Sequence, residues 1–418
     1  MRGVRTAAVG VVVLLIVTAS LRCGLWGPPS PEILWTYKPH GLRASSPAVA
    51  NDGTVYFTAV DSSEKPAKSY VHALDPDGTL RWRYETADSL GSWAFISAPA
   101  IGPDGTIYVG AGPEGDSAFL VAINSDGTRK WRYTLAKAEV SAPAIGSDGT
   151  IYFTAQPSYH RTIFALNPDG SLLWQYPTDT TQEWASAPSV GQDGSVYFGQ
   201  PAGLCALTPS GQLAWKHNTE PCEVGCPPAV GADGTLYFGA SARGITWMYA
   251  LNPDGTPRWQ SQRPVGSEPA ATDVWGTPSL GSDGTVYFTL SLSPVGGATE
   301  PQRGYLYALD ADGKFKWEYT VKNSYAFDSP AIDADGTIYF GAGNGFYAVK
   351  SNGRVKWCYD YKTYFLWASP AIGPDGTIYS VTWNDLFAVE GSSPLDNSPW
   401  PKYQHDNKNT GRFGAALR

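Results

Sequence analysis

Apolar and polar positions along the chain alternate over short runs, and no stretch keeps a helical period. A brief apolar run such as "SPAI" (369–372) is followed by a polar Asp-Gly turn and then a second run rich in β-branched and aromatic residues, "TIYFG" (337–341). After a gap of variable length comes a third run ending in Ala-Leu, as in "YVHALD" (70–75). A second turn leads to a fourth run built around a Trp, "LRWRY" (80–84). Runs of this length bounded by Asp, Pro and Gly predict strands, and the Asp-Gly pairs predict tight hairpins between them.

The pattern is periodic. Its Pro recurs at 47, 99, 143, 188, 228, 278, 330 and 370. Every copy has Asp-Gly five residues on, and Tyr nine residues on, at 56, 108, 152, 197, 237, 287, 339 and 379. The third run places an Ala nine residues before a Trp in seven copies: Trp82, Trp131, Trp174, Trp215, Trp259, Trp317 and Trp357. Four antiparallel strands per unit of this length make a propeller blade. The eighth copy lacks a fourth run, whereas "EILWTYK" (32–38), with Trp35, is a fourth run without a blade. Pairing 33–37 with 385–389 completes the ring and removes two open sheet edges. The expected fold is therefore all-β, a single eight-bladed β-propeller over 32–391 whose last blade joins the N-terminal strand to 368–389. Residues 24–31 read as a linker and 392–418 as a C-terminal tail.

Composition agrees with many short strands, since Gly (46), Pro (33), Tyr (24) and Trp (16) abound. A net charge of −8 excludes the basic face that nucleic acid requires. Residues 1–23 carry Arg2 and Arg5 and then an apolar stretch to Leu21, and read as an export signal or a membrane or lipid anchor, with Cys23 as the lipid acceptor. Membrane association is expected only through this segment. After export, Cys222 and Cys226 in "EPCEVGC" can pair as a local disulfide. Cys205 and Cys358 fall in strands and read as buried thiols.

The phrase Ala73, Asp75, Gly78, Trp82 and its copies resemble the tryptophan-docking motif of the pyrroloquinoline-quinone-type repeat. The resemblance covers roughly residues 32–390, and its style is that of the non-catalytic, exported BamB-like group of quinoprotein-like propellers. It implies that Trp35, Trp82, Trp131, Trp174, Trp215, Trp259, Trp317 and Trp357 wedge each blade against its neighbour. The enzymes of this family hold the quinone over the channel with an adjacent-cysteine disulfide and a calcium ion. This chain has no Cys-Cys pair, and no cofactor or metal is expected. "SPWPKYQHDNKNTGRFG" (398–414) is similar to a "W-P…H-D…T-G" segment attached to such propellers.

Because strand direction alternates, the uniform turns all lie on one face of the disc and the irregular loops on the other. Binding residues favour irregular loops on a rigid scaffold. The irregular segments carry Trp93, Trp184, Trp275, Phe327 and Trp367 before the inner strands, and Tyr159, His160, Trp247 and Trp383 between second and third strands. Such aromatics can stack on sugars or receive a peptide, or they can plug the channel. The five His residues show no metal-like spacing, and the Asp-Gly pairs are explained as hairpins. Two functions follow. One is an exported, non-enzymatic monomer that binds a protein or glycan of the cell envelope. The other is a quinone-dependent or polysaccharide-cleaving enzyme using Glu183, Asp273 or Asp328.

Overall fold

The computed structural model describes residues 29–39, 44–61, 63, 67–114, 117–136, 138–156, 161–178, 185–242, 245–262, 270–274, 276–294, 302–326, 328–361, 368–383 and 385–412, with the backbone alone at 87–95, 113–114, 245, 262, 270–273 and 293–294. Its strands form eight antiparallel blades. Blade 4 shows the plan: an inner strand Ser189–Val190, a second strand Val196–Gln200, a third Gly203–Leu207 and an outer strand Leu213–Asn218, hydrogen-bonded in that order. Blade 8 is assembled from both ends of the repeat region. Ile33–Tyr37 pairs antiparallel with Leu386–Val389, with Trp35 opposite Ala388 and Tyr37 opposite Leu386.

Both Asp-Gly turns of a blade follow the same local logic. In blade 1 the Ala50 amide donates to Thr54 O (2.9 Å) and the Gly53 amide back to Ala50 O (3.0 Å), while Asp52 Oδ1 accepts from the Thr54 amide (3.0 Å). Between the third and outer strands Asp77 Oδ1 accepts from the Thr79 amide at 2.9 Å, and a bulge shifts the register between Ala73 and Leu74. The carboxylates are thus spent on backbone amides, the Asx-turn arrangement that lets the chain reverse in so few residues.

The repeated aromatics hold one blade to the next. In all eight blades the Tyr of the second strand packs against the Trp of the outer strand, with ring centroids 5.7 to 6.0 Å apart. Seven of these indoles also donate to a carbonyl in the outer turn of the following blade, as Trp82 Nε1 does to Ser125 O (2.9 Å) and Trp131 Nε1 to Pro168 O (2.9 Å). Trp35 makes this contact across the ring closure, to Pro76 O at 2.8 Å. The turn Gly lies under the incoming ring: a Cβ on Gly170, where φ is +87°, would stand 2.7 Å from the Trp131 indole. Trp357 faces blade 8, where the strand that would follow such a turn is supplied by the N-terminus, and besides Tyr339 it packs on Phe346. Where the indole donates, its polar edge is satisfied while its face buries apolar area, so those seven blade boundaries gain both terms.

Two features break the eightfold regularity. The outer strand of blade 1, Leu80–Ile96, runs on to pair with blade 2, Leu90 opposite Glu114 and Ile96 opposite Ala111. An added strand, Ala270–Asp273, pairs with Ser291–Pro294 of blade 6. These ribbons rise on the irregular face at the junctions of blades 1 and 2 and of blades 5 and 6, four blades apart and so on opposite sides of the ring.

Candidate functional site

The channel along the axis is lined by the inner strands, and the C-terminal segment occupies one end of it. Seven of the inner strands end, just before the turn, in an amide that points inward. The amides of Leu280, Ile332, Val49, Ile101, Ile145 and Val190 donate in turn to the carbonyls of Trp400, Pro401, Asn407, Lys408, Thr410 and Gly411, at 2.6 to 2.9 Å. The Ile372 amide reaches Asn407 Oδ1 at 3.3 Å. Residues 400–412 therefore bond blades 6, 7, 8, 1, 2, 3 and 4 from within. Asn409 spans two of them, its Nδ2 donating to Pro47 O (3.3 Å) and Pro99 O (3.0 Å).

Sequence reading treats this segment as a tail, whereas the structure makes it the channel plug. The chain enters over blade 7, where Asp333 replaces the Gly usual at the start of the turn. Asp333 is fully buried and accepts from Tyr339 Oη (2.7 Å) and Ser392 Oγ (2.7 Å), while the Ala334 amide donates to Pro394 O at 2.8 Å. Trp400 is fully buried, with its ring 5.3 Å from that of His405. Lys402 Nζ is caged by Tyr403 O (2.8 Å), Asp406 O (3.1 Å) and Asn409 Oδ1 (2.5 Å). Burial draws this ammonium down to about 7, against the attraction of Asp406. Burial works against the Asp406 carboxylate too, but His405 and the donors of Thr410 outweigh it and hold it below the usual range.

Of the acidic candidates, Asp328 is the one whose side chain is described. Two residues before the repeated Pro, blades 1 to 4 place Ser45, Ser97, Ser141 and Ser186, and each hydroxyl accepts a second-strand amide at 2.8 to 3.1 Å. Asp328 occupies that slot in blade 7, with Oδ2 accepting from the Gly341 amide at 2.7 Å. Oδ1 has no hydrogen-bond partner among the described residues, and burial raises the carboxyl well above the ordinary value. It is a variant of a scaffold position. Asp273 lies on the added strand with only its backbone described, and Glu183 lies outside the described residues.

Among the aromatics, Trp383 stands on the irregular face of blade 8 with 40% of its surface exposed. Trp247 is half-buried and packs against the core of blades 4 to 6. Trp93 sits on the ribbon between blades 1 and 2, with its backbone alone described. Tyr159, His160, Trp184, Trp275, Phe327 and Trp367 lie outside the described residues. In sequence, the four Trp before inner strands fall at every second blade junction: Trp93 between 1 and 2, Trp184 between 3 and 4, Trp275 between 5 and 6, and Trp367 between 7 and 8.

The cysteine expectations need correcting. Cys222 and Cys226 are both buried and unbonded, so the local bridge is not formed, and burial pushes the Cys226 thiol up to about 11. Cys205 is buried, as expected, whereas Cys358 is disulfide-bonded. The quinone and calcium of the enzymes are also poorly served. The carboxylate and amide of the axial segment, Asp406 and Asn409, are already engaged by Thr410, Lys402 and the blade carbonyls.

The profile of the family described as outer membrane protein assembly factor BamB matches residues 67–225 and 160–393. The chain belongs to that family. The crystal structure of BamB from Moraxella catarrhalis superposes with a TM-score of 0.60 at 16% identity, over 85% of this chain and 100% of that one. The Dos1 propeller gives 0.63 at 8% identity over 88% and 97%. Sqt1 of Chaetomium thermophilum, solved bound to the N-terminus of ribosomal protein L10, gives 0.61 at 11% over 87% and 100%. At these identities the solved structures speak for the fold. No curated protein matches this BamB-family chain at a significant level.

Proposed function

We propose that this BamB-family chain is an exported, non-catalytic scaffold of the cell envelope that captures a protein partner on its irregular face. The observation that carries the reading is the filling of the turn-side end of the channel by residues 400–412. With that end sealed from within, the face left for a partner is the one with the raised ribbons and Trp383. An exposed indole over a rigid blade is a contact with little ordering cost. The solved Sqt1 complex is a propeller of this general shape holding a polypeptide segment, which makes a protein the favoured occupant over a glycan.

The test is cross-linking and pull-down of envelope proteins with wild-type chain and with Trp383→Ala, Trp184→Ala and Trp275→Ala. Capture lost while the Tm holds supports the reading. Capture unchanged in all three variants, or a glycan array binding that the same variants abolish, overturns it.

A further inference from the structure

The rim of the disc is made of outer strands, and among the described residues those of blades 2 to 8 end their sheets with one backbone edge unpaired. Folded proteins keep such edges from pairing by placing charges on them, Lys above all. Five of these blades do so, with Lys130, Lys216, Arg258, Lys316 and Lys356 on blades 2, 4, 5, 6 and 7. The blade 8 strand is flanked by Glu32 and Lys38. Blade 3 is different. Its outer strand, Leu172–Pro177, reads LLWQYP, with no charge inside it or at its flanks, Ser171 and Thr178.

The residue before the docking Trp sharpens the contrast. In blades 2, 5 and 6 it is a base that reaches the turn Asp of its own blade, Lys130 to Asp104 at 2.8 Å, Arg258 to Asp233 at 2.6 Å and Lys316 to Asp283 at 3.2 Å. In blade 3 it is Leu173, 49% exposed, beside Leu172 at 44%, and the adjacent blade 4 adds Leu213 at 45%. Three large apolar side chains on neighbouring blades thus face solvent next to an edge without charge.

We propose that Leu172–Pro177 is a self-association edge, paired antiparallel with the same strand of a second copy about a twofold axis. Side chains on the outward face are Leu173, Gln175 and Pro177, so an axis at Gln175 sets Leu173 against Pro177 of the other copy. The two Gln175 amides then oppose each other, each able to donate and accept. Charge chooses the occupant. An uncharged strand meets its own copy without opposing like charges, whereas the same axis on blades 2 and 4 would oppose Arg132 to Arg132 and Lys216 to Lys216. A charged partner finds nothing on this strand to pair with. The contact is small, so the dimer is weak, with a Kd of roughly micromolar order or above.

Sedimentation velocity of the full chain from about 1 to about 200 μM should show a concentration-dependent monomer–dimer equilibrium spanning that Kd range. Leu173→Lys gives blade 3 the residue that blade 2 carries, within reach of Asp148. It should weaken dimerisation at least about tenfold, a loss of about 1.4 kcal/mol, at unchanged Tm. Leu34→Lys on blade 8 should leave dimerisation as it was. Gln175→Cys should cross-link to itself on mild oxidation. A chain monomeric throughout, a dimer indifferent to Leu173→Lys, or a Gln175→Cys variant that does not cross-link would each overturn the proposal, as would a monomer that instead takes up another protein's strand here.

Discussion

Tyr37 Oη lies 3.3 Å from Nδ1 of His72, and this contact crosses the closure of the ring, from the N-terminal strand of blade 8 to the third strand of blade 1. The imidazole is stacked on Phe57 at 4.8 Å with the planes 15° apart. Burial, helped by the nearby Arg83 guanidinium, draws His72 down to about 4 from 6.5.

That environment makes the closure acid-sensitive. The unfolded chain takes up a proton below pH 6.5, while the folded chain resists until about 4. The neutral ring's contribution is therefore intact above pH 6.5 and is lost progressively as pH falls, reaching about 3 kcal/mol below pH 4. Thermal melts of wild type and His72→Phe between these limits should show a Tm that falls more steeply with acid in the wild type. Parallel curves would remove His72 from the account.

Trp400→Ala should cost about 3–5 kcal/mol, as expected for a large buried aromatic, and should release the axial segment as well. Limited proteolysis reads the second effect. Cleavage between residues 400 and 412 should appear in the variant before any blade is cut. Global unfolding without that early cleavage would mean that the plug and the ring form one cooperative unit.

The turn glycines separate backbone strain from docking. Gly105 has φ +80° with nothing within 4 Å of a Cβ, so Gly105→Ala should cost about 1–2 kcal/mol, the left-handed penalty alone. Gly170, with the Trp131 indole 2.7 Å away, should add about 1–3 kcal/mol of overpacking when changed to Ala. Denaturant midpoints compare the two. Equal losses would show that the indole gives way freely.

Asp328→Ser installs the residue that blades 1 to 4 use. Because the carboxyl is raised in the folded state, its unfolded form ionises first, and stability drains away as pH rises above 3.8. The serine variant should gain about 1–3 kcal/mol at pH 7, the penalty of one unpartnered buried group, and less at pH 4. A loss of stability would give the carboxyl a positive structural role.

The ring and its closure were legible in the sequence because the repeat is written in side chains. A Pro, an Asp-Gly and a Tyr at fixed offsets occur eight times, and the missing eighth Trp pointed to Trp35. The plug was not legible for the opposite reason. Its partners are amides of Val49, Ile101 and their equivalents, and a backbone donor leaves no mark on residue choice. Two departures from the repeat did signal it or its surroundings. Asp333 stands where six other blades have Gly, and it ties down the entering strand through Ser392. Aligning the positions two before each Pro, from Ser45 to Ala368, would likewise have identified Asp328 as a scaffold slot before any chemistry was attached to it.

Blade 8 needs residues 33–37 and 371–389 together, and the axial bonds need 400–412. Synthesis therefore yields an open arc of blades, its first strand waiting without a partner until residues 386–389 have been made, and its axis filled only after residues 400–412. A chain stalled before residue 386 presents a bare edge at each end and an empty axis. The state of these two edges alone thus separates a closed ring from an interrupted one.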